Sequence, residues 1–426
     1  MQEDVFPAAE KILADIENVL EKDHNLIGFE IIPAEDNENK SPVFHAENYL
    51  GLASWSVQPL FCYVYNRLLD LRQSKYRRED PVKISRWLLG AVLLNPDIST
   101  FWNMKRELVK NRRLDPMQEL RFSSIVLYYK SKCFEAFVYR RWLIKFLLTD
   151  TSQSSIEIET LVRNEIKVAT MTANRYCSNN HAWCHRQYAV GLFETLAKEN
   201  FYSFLQNEWE TTNNWCSRNV SDYSGFAYRQ FLLKKLLFIY PRNDEMKISL
   251  DKIARHRTIV LEYVKNDKRE CKNAFVYSDT VNSEFLCPLH GVRSEKKAED
   301  CDQTVINLSY WIEECVLNED LIKTFPGHEA LWCHRRFLAY SLLALINSYK
   351  KYFQYKSEIF DFNQTQRHWN RENKVAGDSA MSRGLLEEAF HIHNQDLIAQ
   401  AKRSGQHQNF LAEKFIKYLM NNDLEQ

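Results

Sequence analysis

Apolar residues recur along most of this chain at helical spacing. Between residues 3 and 24, Val5, Ile12, Ile16, Val19 and Leu20 fall on one face and predict an amphipathic helix. Residues 25–48 are polar and aperiodic, with Pro33 and Pro42 as breakers, and predict irregular chain. Trp55, Leu60, Phe61, Val64, Leu68 and Leu69 predict a second helix over Leu50 to Leu71. Pro81 suits the first turn of a third, Val82 to Leu94, which Asn95-Pro96 ends. Ser99 or Thr100 is placed to cap a fourth that begins near Trp102. From there the pattern is helix, short turn, helix. Leu385 to Ile398 and Asn409 to Met420 predict the last two helices, which cap the stack.

One local pattern repeats: an aromatic, any residue, usually His or Tyr, then a base. It reads Trp183-Cys184-His185-Arg186, Phe226-Ala227-Tyr228-Arg229 and Trp332-Cys333-His334-Arg335. Weaker copies are Phe137-Val138-Tyr139-Arg140 and Trp102-Asn103-Met104-Lys105. The aromatics are separated by 35, 46, 43 and 106 residues. Periods of roughly 35 to 45 predict stacked helical hairpins, an all-α solenoid. The longest gap has room for two hairpins and an insertion, or for one cryptic repeat. Residues 266–302 are charged and lack helical period, and are expected to be a mobile insertion. The expected layout is one solenoid domain. Residues 1–90 are N-terminal helices and 91–265 the main repeats. Residues 303–349 are the last clear repeat, and 350–426 a variable segment with capping helices.

Composition fits this picture. The 426 residues include only ten Gly and ten Pro, with 45% apolar and 26% charged residues. So few turn residues favour helices with short connections over sheets closed by tight glycine turns. Equal numbers of acids and bases, 56 each, provide no global field for nucleic acid or an anionic membrane. No apolar run reaches the roughly 18 residues of a membrane span. With no secretory core at the start and no prenylation signal at Asp423-Leu424-Glu425-Gln426, the expected location is the cytoplasm. The ten cysteines form no Cys-x-x-Cys, and Cys287 with His290 is only half a zinc site.

An aromatic and a base three residues apart share one face of a helix. Trp102, Phe137 with Arg140, Trp183 with Arg186, Phe226 with Arg229, and Trp332 with Arg335 are therefore read as scaffold core, packing against the preceding hairpin. Each buried guanidinium requires an acceptor, which the sequence does not identify. Chemistry is expected instead in the turns before the aromatics, on the hairpin edge. Lys132 stands five residues before Phe137, and His181 two before Trp183, in successive repeats.

The repeated frame resembles that of protein prenyltransferase α subunits, Pro-x-Asn-Tyr-x-x-Trp-x-His-Arg-Arg-Trp. Asn179 to Gln187 and Pro326 to Phe337 carry it best, supported by Glu47 to Trp55, Leu94 to Asp97 and Ser221 to Lys234. The resemblance covers about residues 45–340. It implies a right-handed α-α superhelix wrapped around a separate β subunit that holds a catalytic zinc and the lipid pocket; no cofactor is expected in this chain. Within the family the likeness is to the α subunit of a type III geranylgeranyltransferase. That enzyme uses the β subunit of Rab geranylgeranyltransferase and takes geranylgeranyl diphosphate as substrate. Its acceptor is a monofarnesylated Golgi SNARE, with an F-box ubiquitin-ligase protein as another. The resemblance also implies that Lys132 and His181 stabilise the leaving diphosphate. Phe134 and Asn180 stand where the family has tyrosines, so two hydroxyls are missing. The rival expectation is a helical-repeat scaffold or adaptor in membrane traffic, without an enzymatic partner.

Overall fold

The computed structural model describes residues 6–34, 41–73, 79–150, 155–238, 250–264, 298–360 and 385–421. The chain divides into two compact units, Met1–Phe201 and Tyr202–Gln426. The first holds α1 (Ala9–Lys22), β1 (Gly28–Ile32), β2 (Val43–Ala46), β3 (Tyr49–Ala53), α2 (Ser54–Gln73), α3 (Pro81–Leu94), α4 (Ser99–Lys110), α5 (Pro116–Tyr129), α6 (Phe134–Asp150), α7 (Ser155–Arg175) and α8 (Asn180–Leu196). The second holds α9 (Phe201–Arg218), α10 (Tyr223–Phe238), α11 (Leu250–Val264), α12 (Ala298–Thr324), α13 (Glu329–Phe360), α14 (Leu385–Arg403) and α15 (Gln406–Asn421). The fold is an α-α solenoid of helical hairpins with one small sheet added. No helix among the described residues is long and apolar enough to cross a membrane.

The sheet corrects the irregular reading of residues 25–48 and moves the start of α2 from Leu50 to Ser54. β3 lies in the middle, parallel to β1 and antiparallel to β2. The β2–β3 turn is Glu47-Asn48, both at positive φ (50° and 64°), the two-residue geometry that usually takes glycine. Its non-glycine sequence hides the hairpin. Gly28 is required by packing: a Cβ there would sit 2.2 Å from the Tyr128 ring of α5. At α4 the helix begins at Ser99 after Ile98, which makes no side-chain cap bond, so neither Ser99 nor Thr100 caps it.

Between α10 and α12 the described residues contain only α11. Across that gap α10 packs directly on α12 and α13. Most of the expected 266–302 insertion, with Cys287 and His290, lies outside the described residues, and 298–302 open α12. Residues 350–360 complete α13, while 361–384 lie outside the described residues.

A ladder of buried carboxylates joins the hairpins. Each carboxylate sits on the first helix of a hairpin. The His or Tyr of the repeated frame reaches it from the second helix, 20 residues on. Tyr139 donates to Glu119 at 2.7 Å, and Tyr228 to Glu208 at 2.7 Å. His185 and His334 meet Glu165 and Glu314, each at 2.7 Å. The frame base comes from the hairpin before: Lys105 to Glu119 at 2.8 Å, Arg140 to Glu165 at 2.5 Å, and Arg229 to Glu314. Lys105, Arg140 and Arg229 therefore reach forward to the next hairpin for the charge partner that the sequence did not identify. Arg140 and Arg229 also donate to the backbone carbonyls of Leu120 and Trp209 in their own hairpins, and to Ser123 and Thr212. Arg186 donates to Thr170 at 3.0 Å.

Burial pushes the Glu165 carboxyl up, but the charge of Arg140 and the bond from His185 outweigh it and hold the group down at about 2. Glu314 is held at about 2 in the same way, burial being outweighed by Arg229 and His334. Burial pushes the His185 imidazole down, so at neutral pH it is uncharged and Nε2–H donates to the ionised Glu165. Its Nδ1 is then a bare lone pair with no partner.

Breaking one pair should cost far more than removing it. Arg229→Met is expected to destabilise the second unit by about 3–5 kcal/mol, because it strands Glu314. Arg229→Met with Glu314→Leu should recover much of that loss. Urea unfolding of the three proteins checks this, and additive losses would show that the residues do not act as a pair. The pH dependence follows the same groups. Their stabilisation is complete above the ordinary carboxylate value of 4.5 and declines as pH falls towards about 2. His185, depressed from 6.5, adds a decline in the same direction below that value. Glu165→Gln should flatten the acid limb of a stability–pH profile while lowering stability at pH 7.

Candidate functional site

Two successive hairpin turns of the first unit meet at one edge. The α5–α6 turn alternates inward and outward residues: Ser131 and Cys133 are buried, Lys132 and Phe134 exposed. Cys133 pins the turn. Its thiol donates to the Pro96 carbonyl at 3.4 Å and accepts from the Ala136 N–H at 3.4 Å, and burial pushes its pKa up to about 12. It is a structural thiol, unreactive at neutral pH. The α7–α8 turn is shaped by Ser178 at φ 52° and by Asn179, whose side chain caps α8 by accepting from the Ala182 N–H. Asn179 is fully buried, and its Nδ2 donates to the Ser131 carbonyl at 2.7 Å and to the Thr172 carbonyl at 3.2 Å. One amide thus fixes the second turn against the first, beside Lys132.

On this frame Lys132 and His181 are brought to the same edge. The Lys132 ammonium lies over the Tyr176 ring, 3.9 Å from its centre. The His181 ring packs against Phe134 with centroids 5.4 Å apart. A cation over an exposed ring gains only about 0.5–1 kcal/mol, so an anion competes readily for that ammonium. Lys130 lies over Tyr129 at 5.1 Å, and Arg175 over Tyr128 at 3.7 Å, the latter paired with Glu30 at 3.6 Å. The helices α6 and α8 both begin here, and their first N–H groups add positive potential. The edge combines an ammonium, an imidazole and two helix starts, which suits a multiply charged phosphate ester.

The second unit has no such edge among its described turns. Ser221 and Gly327 occupy the Lys132 place in their frames. Ser221 Oγ meets His328 Nδ1 at 2.7 Å, and Tyr223 donates to Glu329 at 3.2 Å, which also pairs with Lys414. The Trp332-Cys-His-Arg stretch, dense in reactive residue types, is consumed by packing: His334 and Arg335 are both buried in the ladder. Trp102, Phe137, Trp183, Phe226 and Trp332 are all buried, with Arg140, Arg186, Arg229 and Arg335. Sequence reasoning missed Asn179 and Tyr176 at the edge. The available signal was an Asn one residue before a helix start, a strong capping position.

The protein prenyltransferase alpha subunit repeat matches residues 116–147, 162–193, 205–236 and 311–342. These are the hairpins that carry the ladder. Protein prenyltransferase alpha subunit repeat-containing protein 1 of Homo sapiens is 32% identical over 355 residues, 79% of each chain. Protein prenyltransferase alpha subunit repeat-containing protein 1-A of Xenopus laevis is 32% identical over 353 residues, 79% of this chain and 72% of that one. A more distant relative is geranylgeranyl transferase type-2 subunit alpha of Rattus norvegicus, 24% identical over 182 residues, 41% of this chain and 28% of that one. With matching repeats, ladder and similarity over most of its length, this chain belongs to the protein prenyltransferase alpha subunit repeat family.

Proposed function

We propose that this chain is the α subunit of a heterodimeric protein geranylgeranyltransferase of type III, inactive alone. Its partner in this reading is the β subunit of Rab geranylgeranyltransferase. The pair transfers geranylgeranyl from geranylgeranyl diphosphate to a cysteine of an already farnesylated SNARE-type protein, with an F-box protein as a further acceptor. The observation that carries it is the edge where Asn179 ties together the turns bearing Lys132 and His181. The distant likeness to a geranylgeranyl transferase α subunit supports the lipid class.

The division of labour follows from the chemistry. The nucleophile would be a cysteine thiol of the acceptor protein, and a zinc ion of the β subunit would supply the charge that lowers its pKa. As it attacks C1 of the isoprenoid, the carbon–oxygen bond breaks and charge accumulates on the departing diphosphate. Fixed donors aimed at that charge lower the barrier. The Lys132 ammonium leaves its ring contact to meet the diphosphate oxygens, and the His181 imidazole donates beside it. Phe134 keeps the His181 ring in place but supplies no hydroxyl.

Reconstitution tests this directly. Co-expressed with the β subunit, the chain should form a stable complex that geranylgeranylates a monofarnesylated SNARE. Absence of both complex and transfer would leave the scaffold or adaptor reading. In an active heterodimer, Lys132→Ala is expected to lower turnover roughly a hundredfold, with subunit affinity within about threefold of wild type. Unchanged turnover would return Lys132 to an ordinary surface charge. Phe134→Tyr, which restores a hydroxyl to the edge, should raise turnover by a few-fold in single-turnover assays.

A further inference from the structure

The outward side of α15 differs from an ordinary end of a helical stack. The buried residues of this helix, Gln408, Leu411, Ala412, Phe415 and Leu419, share one face, and the helix packs on α13 and α14. At about 100° per residue, Phe410, Glu413, Lys417 and Met420 fall on the opposite face, and all four are exposed. A stack of hairpins normally ends in a polar outer face, because no further hairpin covers it. Here that face carries two large apolar side chains, Phe410 at 50% exposure and Met420 at 60%. Phe410 is already ordered: the Lys414 ammonium lies over its ring at 4.6 Å and is itself tied to Glu329 at 3.2 Å. Glu413 and Lys417 are four residues apart on one helix, yet they do not pair with each other. Among the described residues Glu413 meets no base and accepts from the Asn409 amide at 3.0 Å, and Lys417 meets no carboxylate.

The order of these four residues selects an occupant. Phe410 and Met420 stand five residues either side of position 415, and Glu413 and Lys417 stand two either side. A second α15 laid antiparallel about a two-fold axis at that position sets Phe410 against the second copy's Met420. It also sets Glu413 against the second copy's Lys417, and each contact occurs twice. Aromatic then meets thioether, a favourable contact, and acid meets base. A parallel pair would set Glu413 on Glu413 and Lys417 on Lys417, and would repel. The apolar residues alone suit many helices. The charges, matched about the same point, suit a copy of this chain. The stripe spans about 15 Å of helix, short of what a standard interface uses, so the pairing belongs to the weak, reversible class.

We infer that the outward face of α15 is a homotypic contact through which two copies of this chain pair in antiparallel register. The inference goes beyond the proposed function and does not rest on it.

Sedimentation equilibrium of the full chain tests this, comparing wild type with Glu413→Lys, Lys417→Glu and the double exchange of both. The positions are exposed, so thermal midpoints should match the wild type's. Wild type should dimerise reversibly in the micromolar range, and more weakly as salt rises. Each single reversal should weaken dimerisation by about tenfold or more, because it makes both charge contacts repulsive. The double exchange should restore it, since acid again faces base. The two single variants, mixed in equal amounts, should associate with each other although neither pairs with itself, because each supplies the sign that the other lacks. That result also shows both variants to be folded. Phe410→Ser should weaken dimerisation by about tenfold as well. A chain that stays monomeric up to about 100 μM overturns the inference. So does a dimer that ignores both reversals, and so does a loss that neither the mixture nor the double exchange repairs.

Discussion

The structure depends on a buried carboxylate that must be satisfied from two hairpins at once. Glu165 illustrates it: Arg140 from one hairpin and His185 from its own take both of its oxygens. Neither donor alone would offset the cost of taking that charge out of water. The same requirement explains the frame. The base stands three residues after the aromatic because ring and charge must leave the helix on one side. His and Tyr interchange two residues after the aromatic because each offers one donor at the same reach. A ladder of this kind is weak evidence for net stability. Its firmer consequence is order, since a hairpin displaced by one place would bury unpaired charges.

That order matters for the candidate edge. The ladder holds the second helices side by side, and so places the turns that precede them side by side. Cys133 and Asn179 then remove the remaining freedom, one by a thiol between Pro96 and Ala136, the other by an amide that spans two turns. Lys132 and His181 project from a platform whose own polar groups are already bonded. The two units also show that the repeat alone does not make the edge. With Ser221 and Gly327 at the lysine position and Glu329 bound to Lys414, the described turns of the second unit have the scaffold without a lysine at that place.

The frame was legible because its parts lie within four residues on one helix. Trp183, His185 and Arg186 announce a repeat without any knowledge of what they touch. Their acceptors were not legible. Glu165 and Glu314 look like any other helical glutamate, and the distance from Arg229 to Glu314 is 85 residues. The sheet was hidden for a different reason: its strands are four or five residues long and its tight turn uses Glu47-Asn48, with no glycine to mark it. At the edge, Lys132 and His181 could be named from their place before the aromatics. Tyr176 and Asn179 could not, because their roles exist only once two turns are in contact.

The end of the ladder follows from one atom. Arg335 has the same reach as Arg140 and Arg229, but the residue that meets its Nε on the next first helix, α14, is Asn394 at 2.8 Å. A neutral amide accepts that bond without bringing in a charge. The guanidinium is neutralised instead within its own hairpin, by Glu319 at 2.8 Å, which also meets His393. The next helix, α15, carries no aromatic-x-His-Arg frame. It offers Gln408, which accepts from the Gly327 N–H and the Trp332 indole. The last hairpin thus meets Arg335 through a neutral amide, while its other contacts with the preceding hairpin, His393 with Glu319 and Lys414 with Glu329, still use carboxylates.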